Sequence, residues 1–305
     1  MKTTHRFSLS KKGKHSCPEC SQKTFVLYID NNTGEPLDST VGKCDRANRC
    51  DHHYTPKEYF ADNPNESQNA PMPTVRASTQ VRTEVKPSYI EADAVNETLN
   101  DYGNNNLVLF LRNLVGEETA DDVAGKYFVG TTQEGATIFW LIDHEGNVRG
   151  GKVIEYNKKG CRKKDAIPQV QWMHKVLELE DFNMVQCLFG EHLLNLDGNE
   201  SMPVAIVESE KTALITSVYL SDFIWLAVGG SEGLNTEKLR VLRGRDVILF
   251  PDAGTFDKWK KKAEELKSFC KIAVSDWLER IVYDHELTKG VDIADFLVKF
   301  PPPKS

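Results

Sequence analysis

The 305-residue sequence contains no run of about 18 apolar residues, the length a membrane-crossing helix needs. Nor does it open with a secretory signal, since Met1 to Lys14 is polar and basic with no apolar stretch. A cytoplasmic protein with no membrane partner is expected. An excess of positive charge is also missing: 38 Lys and Arg face 45 Asp and Glu, a formal net charge of -7, so the chain is not coated in positive potential. No internal repeat is visible. Seven cysteines are present, but an odd count, with four of them gathered between Cys17 and Cys50, does not read as a disulfide framework. What remains, 40% hydrophobic and 27% charged residues, is the composition of a globular protein with a core to bury, and the length suits more than one domain.

The clustered cysteines have the spacing of a metal site. Cys17-Pro18-Glu19-Cys20 is a C-x2-C pair, and after a 23-residue gap Cys44 and Cys50 make a C-x5-C pair. Between them the alternation from Thr24 to Ile29 predicts a strand, and Asp30-Asn31-Asn32-Thr33-Gly34 predicts a turn. Two thiolate pairs on tight turns, separated by a β-hairpin, suit tetrahedral Zn2+. Four protein ligands leave no open position, so such an ion is structural. His52 and His53 lie just beyond, and either could replace Cys50 as the fourth ligand. Cys161, Cys187 and Cys270 are dispersed and read as packing residues.

From 61 to 86 the sequence is polar and rich in Pro, Asn and Ser, without apolar periodicity, and reads as a linker. Residues 88–127 carry helical patterns. Two β-rich runs follow, Ala136 to Ile142 and Val148 to Tyr156, joined by Asp143-His144-Glu145-Gly146-Asn147, which predicts a hairpin. The last third alternates differently. Strands are expected at Val204–Val207, Phe223–Val228, Asp246–Phe250 and Lys271–Val274, with helices at Glu210–Tyr219, Thr236–Leu242 and Phe256–Phe269. Strands alternating with helices imply βαβ units and a parallel sheet. The expected fold class is α+β and multidomain: a zinc-ribbon β-unit over 1–60, a linker over 61–86, a mixed α/β middle unit with a β-hairpin over 87–200, and a C-terminal α/β unit with a mainly parallel sheet over 201–305.

Two carboxylates stand at strand ends in that last unit. Glu208 follows Val204-Ala205-Ile206-Val207, and Asp252 follows Val247-Ile248-Leu249-Phe250-Pro251. Ligands of open α/β sheets bind beyond the carboxyl ends of the strands, so both acids reach the edge where chemistry occurs. Paired there, they form a candidate site for Mg2+, completed by water and substrate phosphates. Gly229 and Gly230, after a third strand, allow close backbone approach to a phosphate. For Glu210, a first-turn helix charge is the simpler reading. Between Arg149 and Lys175 eight basic residues face only Glu155 and Asp165, either as a solvated face or as a phosphate-binding surface. Trp140, Tyr156 and Trp172 could stack on bases, although such residues more often pack a core.

These motifs resemble the Toprim domain of bacterial primases, topoisomerases and related nucleases, in which one strand ends in glutamate and a later strand ends in Asp-x-Asp. Val207-Glu208-Ser209-Glu210-Lys211-Thr212-Ala213-Leu214 matches the first motif and Leu249-Phe250-Pro251-Asp252-Ala253-Gly254 the first aspartate of the second. Gly254 stands where the second aspartate belongs, and Asp257 comes three residues late. Gly290-Val291-Asp292-Ile293-Ala294-Asp295-Phe296-Leu297 resembles the Lys-Asp-x-x-Asp-x-Leu ending of mobile-element primases and adds Asp292, for which a helix N-cap is the competing role. Ile138 to Val153 is similar to the primase segment that precedes Toprim. The order of zinc ribbon, linker, basic β-unit and Toprim spans nearly the whole chain, which resembles a bacterial DNA primase of mobile-element type.

The resemblance implies that Glu208, Asp252 and Asp292 are catalytic and that Glu208 and Asp252 hold Mg2+ or Mn2+. It implies that Arg149, Lys152, Lys158, Lys159, Arg162, Lys163, Lys164 and Lys211 hold a nucleic-acid backbone. The implied activity is nucleotidyl transfer, with primers made from nucleotides on single-stranded DNA and a replicative helicase as a further partner. Three alternatives stay open: a single-stranded DNA adaptor that has lost catalysis, favoured by Gly254; a Toprim nuclease; and a zinc-stabilised α/β protein whose acids only cap helices.

Overall fold

The structure is a computed structural model and describes residues 6–10, 13–46, 50, 52–63, 86–230, 233–268, 270–282 and 290–303. The chain divides into two units, Met1–Thr83 and Glu84–Ser305. The linker expected over 61–86 lies outside the described residues except for 61–63 and 86.

The first unit is an antiparallel β-ribbon. Its strands are β1 (Phe7–Leu9), β2 (His15–Ser16), β3 (Lys23–Asp30), β4 (Gly42–Cys44) and β5 (His53–Tyr54), followed by helix α1 (Pro56–Asp62). The long β3 takes β1 and β2 as well as β4, and β5 extends β4. At Gly42 a Cβ would stand 2.3 Å from Val26 O, so the β3–β4 contact admits only glycine. Helix α1 begins at Thr55 in a capping box with Glu58, and Pro56 supplies a preset first turn. The core is small, built on Phe25, Leu27, Cys17 and Cys44.

The second unit opens with helices α2 (Ala92–Asn96), α3 (Asn106–Val115) and α4 (Glu117–Lys126). An antiparallel sheet follows: β6 (Val129–Thr131), β7 (Thr137–Ile142), β8 (Val148–Ile154) and β9 (Gln171–Trp172), in that spatial order, with the short α5 (Met173–Val176) after it. The expected hairpin is the β7–β8 pair. Its turn is built on Asp143, which accepts from the N–H groups of Glu145 and Asn147 and from Arg149 Nε at 2.6 Å.

The remaining strands are β10 (Val204–Val207), β11 (Ile224–Ala227), β12 (Asp246–Leu249) and β13 (Lys271–Val274), forming a four-stranded sheet in the order β11-β10-β12-β13. Every pairing in it is parallel. Helices α6 (Glu210–Tyr219), α7 (Thr236–Leu239), α8 (Phe256–Leu266), α9 (Trp277–Ile281) and α10 (Ile293–Leu297) accompany it. All residues of β10 and β11 are buried, which is why they read as unbroken apolar runs rather than alternating ones.

One hydrophobic core runs from α3 and α4 through Phe139 and Phe189 to Trp225 and the inner face of α6. The Tyr127 ring stacks on Phe189 at 5.4 Å while its hydroxyl donates to Trp225 O at 2.8 Å, tying α4 to β11. Trp140 and Tyr156 are core residues with 0% and 3% exposure, so packing rather than stacking on bases is their role in this fold; Trp172 is partly buried. Gly151 makes room for Trp140, whose ring a Cβ would meet at 2.9 Å. No helix among the described residues is long and apolar enough to cross a membrane.

Candidate functional site

In the first unit the four cysteines converge. Cys17 and Cys20 lie on the turn after β2, Cys44 ends β4, and all four sulfurs lie within 4.8 Å of one another. Cys17 Sγ is 3.6 Å from Cys50 Sγ, and Cys20 Sγ is 4.0 Å from Cys44 Sγ. Tetrahedral Zn2+ with bonds of about 2.3 Å separates its sulfurs by roughly 3.8 Å, so the set fits the ion. A hydrogen bond from the Gln22 amide draws Cys20 down to about 7, whereas burial pushes Cys50 up to about 12. Thiols packed this tightly ionise together only around a cation. Cys50 completes the set, and neither histidine replaces it: His53 Nε2 pairs with the Tyr28 hydroxyl at 2.9 Å, and His52 packs on Phe25 at 5.5 Å.

In the second unit the carboxyl edge of the parallel sheet gathers the acids. Glu208 follows the end of β10 and Asp252 is the third residue after β12. Two hydrogen bonds fix the third acid beside them. Ala253 N donates to Val291 O at 2.8 Å, and the Thr212 hydroxyl on α6 donates to Asp292 Oδ2. Asp292 is also the N-cap of α10, in a capping box with Asp295, so its carboxylate joins the cluster through a structural role. Among the described residues only the four cysteines form a cluster of three or more ligand atoms close enough to hold a metal ion; the three carboxylates do not form one.

This crowding shows in the titration of the acids. Burial, followed by the charges of Glu208, Asp292 and Asp295, pushes Asp252 up to about 8. Burial also raises Glu208, against the opposing pull of Lys258, Arg162 and Lys152. Asp292 is raised by burial and by Asp295. Half-buried carboxylates that repel one another hold their protons more tightly than free ones, because burial and the neighbouring charges both disfavour the ionised form.

Gly254, where an aspartate was expected from the resemblance, has φ +82°, a conformation that aspartate adopts only with strain. Its N–H donates at 2.7 Å to Glu279 Oε1 on α9. Glu279 was not singled out by sequence, since no pattern links α9 to this turn. Asp257 is exposed on the first turn of α8.

The predicted basic residues separate into groups. Lys158, Lys159, Arg162, Lys163 and Lys164 are exposed on the loop between β8 and β9, where Lys163 pairs with Glu155 at 2.9 Å. Arg162 acts electrostatically on both Glu208 and Asp252, so this loop reaches the acids. Lys211, on the first turn of α6, directs Nζ to Gly160 O at 3.4 Å and bears on Asp292. Arg149 lies apart, paired with Asp143 and stacked over the Tyr89 ring at 5.1 Å.

Lys152 is not on that loop. It is buried on β8, and its ammonium donates to Glu210 Oε1 at 2.9 Å, Glu210 Oε2 at 3.2 Å and Gly229 O at 2.7 Å. Glu210, expected as a first-turn helix charge, stands on the first turn of α6 and is 1% exposed along its side chain. The pair bolts the antiparallel sheet to the parallel one just behind Glu208. Lys152→Met should therefore cost about 3 kcal/mol in a urea melt, because it strands a buried carboxylate. A variant of unchanged stability that binds single-stranded DNA more weakly would instead make Lys152 a contact to nucleic acid.

Residues 105–253 match a family described as a domain of unknown function, DUF6371, and residues 5–65 match the zinc beta-ribbon finger family, a span that includes all four cysteines. No curated protein matches the sequence. Among solved structures the chain is similar to the RNA polymerase domain of Mycobacterium tuberculosis primase DnaG in complex with double-stranded DNA, at 13% identity over 69% of this chain and 75% of that one, with a TM-score of 0.44. It is similar to the Escherichia coli primase catalytic core at 12% identity over 68% and 81%, TM-score 0.41. It is also similar to the primase fragment of the bacteriophage T7 primase-helicase protein at 16% identity over 88% and 90%, TM-score 0.35.

Proposed function

We propose that this protein acts on single-stranded DNA as a primase-like nucleotidyltransferase. In this reading residues 201–305 are a Toprim-type domain, 87–200 carry the template surface, and the zinc ribbon helps to select the strand. The observation that carries it is the carboxyl cluster at the end of the parallel sheet, with Asp252 pushed up to about 8 and the basic loop of Arg162 beside it.

Glu208 and Asp252 hold Mg2+ or Mn2+, with Asp292 oriented by Thr212 at the margin of the site. A divalent ion held there would supply charge stabilisation to substrate phosphates. Glu208 and Asp252 present their oxygens from strand ends, a rigid base that keeps them near productive geometry. Lys158, Lys159, Arg162 and Lys164 attract the template backbone, and Arg162 directs it towards the acids. Because the net charge is -7, this attraction is local to the loop and steeply dependent on salt.

A second reading, an adaptor that binds single-stranded DNA without catalysis, draws on Gly254. Its backbone conformation excludes an unstrained aspartate, and Glu279 occupies its amide. A priming assay with labelled nucleotides and Mg2+ or Mn2+ separates the two. The proposal expects oligomers from the wild type and roughly 100-fold less product from Glu208→Gln with template binding retained. Salt-sensitive binding without synthesis would favour the adaptor, and absence of both would defeat either reading.

A further inference from the structure

A cavity of about 560 Å³ in the second unit lies between the β7–β8 hairpin, the segment 185–187 and α7, and Glu208, Asp252 and Asp292 are not among the residues that line it. Its most informative group is Lys238. This half-buried ammonium donates to Gln186 Oε1 at 2.8 Å and to Val228 O at 2.9 Å, both neutral acceptors, and pairs with no carboxylate among the described residues. An ammonium has three donors, and two are used here. A partly desolvated cation without a counter-ion is an unfavourable arrangement that an incoming anion corrects. Burial lowers the Lys238 pKa, against the opposing pull of Cys187, Glu210 and Glu191.

Two further cations line the same cavity. Arg240 is exposed and has no carboxylate partner among the described residues. Arg149 spends Nε on Asp143 and lays its plane on Tyr89, which leaves its terminal amino groups for a ligand. Glu191, the buried acid of the lining, is already engaged: Oε2 accepts from Leu188 N, and Oε1 accepts from His144 N. Three cations, Arg149, Lys238 and Arg240, thus line the cavity with two acids, Glu191 and Glu237, and of the cations Lys238 and Arg240 have no carboxylate partner among the described residues. The volume far exceeds a phosphate ion and falls in the range of small-molecule sites, and Pro87, Val185 and Val241 give it an apolar wall.

We propose that this cavity binds a nucleotide, with Lys238, Arg240 and Arg149 on the phosphates and the apolar wall against the remainder. The site is separate from the carboxylates and does not depend on their holding a cation.

Isothermal titration of the full-length, zinc-loaded protein with ATP, in buffer free of added divalent cations and of chelator, tests it. Arg240→Glu and Lys238→Met should each weaken ATP roughly tenfold or more, the loss expected when one partner of a close charge contact is removed. Asp252→Asn, which removes the carboxylate site, should retain wild-type ATP affinity. Tripolyphosphate should bind roughly tenfold more weakly than ATP, since it lacks a group for the apolar wall. Should Lys238→Met fail to fold, the exposed Arg240→Glu decides alone. No heat from the wild type, unchanged binding in Arg240→Glu, or loss of binding in Asp252→Asn overturns the proposal. Tripolyphosphate binding as tightly as ATP overturns the nucleotide and leaves a bare phosphate site.

Discussion

The Asp252→Asn protein is expected to melt above the wild type at pH 8 in the absence of divalent cation, yet to lose primer synthesis and the stabilisation that Mg2+ gives. The folded protein holds the Asp252 proton up to about pH 8, whereas the unfolded chain releases it near the ordinary value of 3.8. Between those limits the folded state binds more protons than the unfolded one, so the contribution of this group to stability falls as pH rises from about 4 to 8 and is constant above. Asparagine carries no charge and removes the pH-dependent penalty. Part of that penalty is shared with Glu208 and Asp292, so the gain at pH 8 should be about 1–3 kcal/mol, vanishing near pH 4. In a domain of this size that is a rise in Tm of about 3–10 °C. Thermal melts of both proteins at pH 4, 6 and 8, with and without Mg2+, provide the measurement. A variant less stable than the wild type at pH 8 would show that Asp252 serves the fold, and the proposed cation site would fall with it.

That expected trade of stability for function marks the group that sequence could find. Glu208 and Asp252 were legible because strand ends are legible: a buried parallel strand is an apolar run, and the first polar residue after it stands at the ligand-binding edge. The cysteines were legible for a similar reason, since a thiolate pair two residues apart has few other uses. The β7–β8 turn announced itself through Asp143, Gly146 and Asn147.

Long-range pairings were not legible. Lys152 lies in a basic run and Glu210 on a first helical turn, both ordinary solvated settings. Only the meeting of β8 with α6, 58 residues apart, buries them as a pair. Lys238 was hidden likewise, because its partners Gln186 and Val228 come from other elements. Helix Thr236–Leu242 proved to be an α turn to Leu239 that tightens into a 3-10 turn at Arg240–Leu242, and propensity does not distinguish the two. Asp292 presents a mixed case, because the capping role and the place in the acidic cluster turned out to belong to the same carboxylate.

Withdrawal of zinc should unfold the first unit and leave the second intact. Among its described residues the ribbon buries, besides Cys17 and Cys44, the apolar side chains of Phe25, Leu27, Val41 and Tyr59, too small a core to offset the conformational entropy of some sixty residues. Structural zinc supplies about 10–16 kcal/mol in comparable small units, enough to decide whether the unit folds. Residues 84–305 have their own cores, one of which runs continuously from α3 to α10, and no cysteine of the cluster belongs to either. Cys44→Ser should reduce bound zinc from one ion per chain to none. Cys44 is 0% exposed and lies at the register position opposite Phe25, so serine cannot be accommodated by a shift to the surface. Calorimetry under reducing conditions, needed because Cys17 and Cys50 sulfurs lie 3.6 Å apart and could oxidise once the ion leaves, should show one transition vanish and the other keep its Tm. Amide spectra should show the signals of the β3–β4 hairpin collapse while those of β10 to β13 hold. A ribbon that keeps its hairpin signals after the metal is gone would mean that its small core suffices, and the cysteines would then owe their arrangement to packing alone.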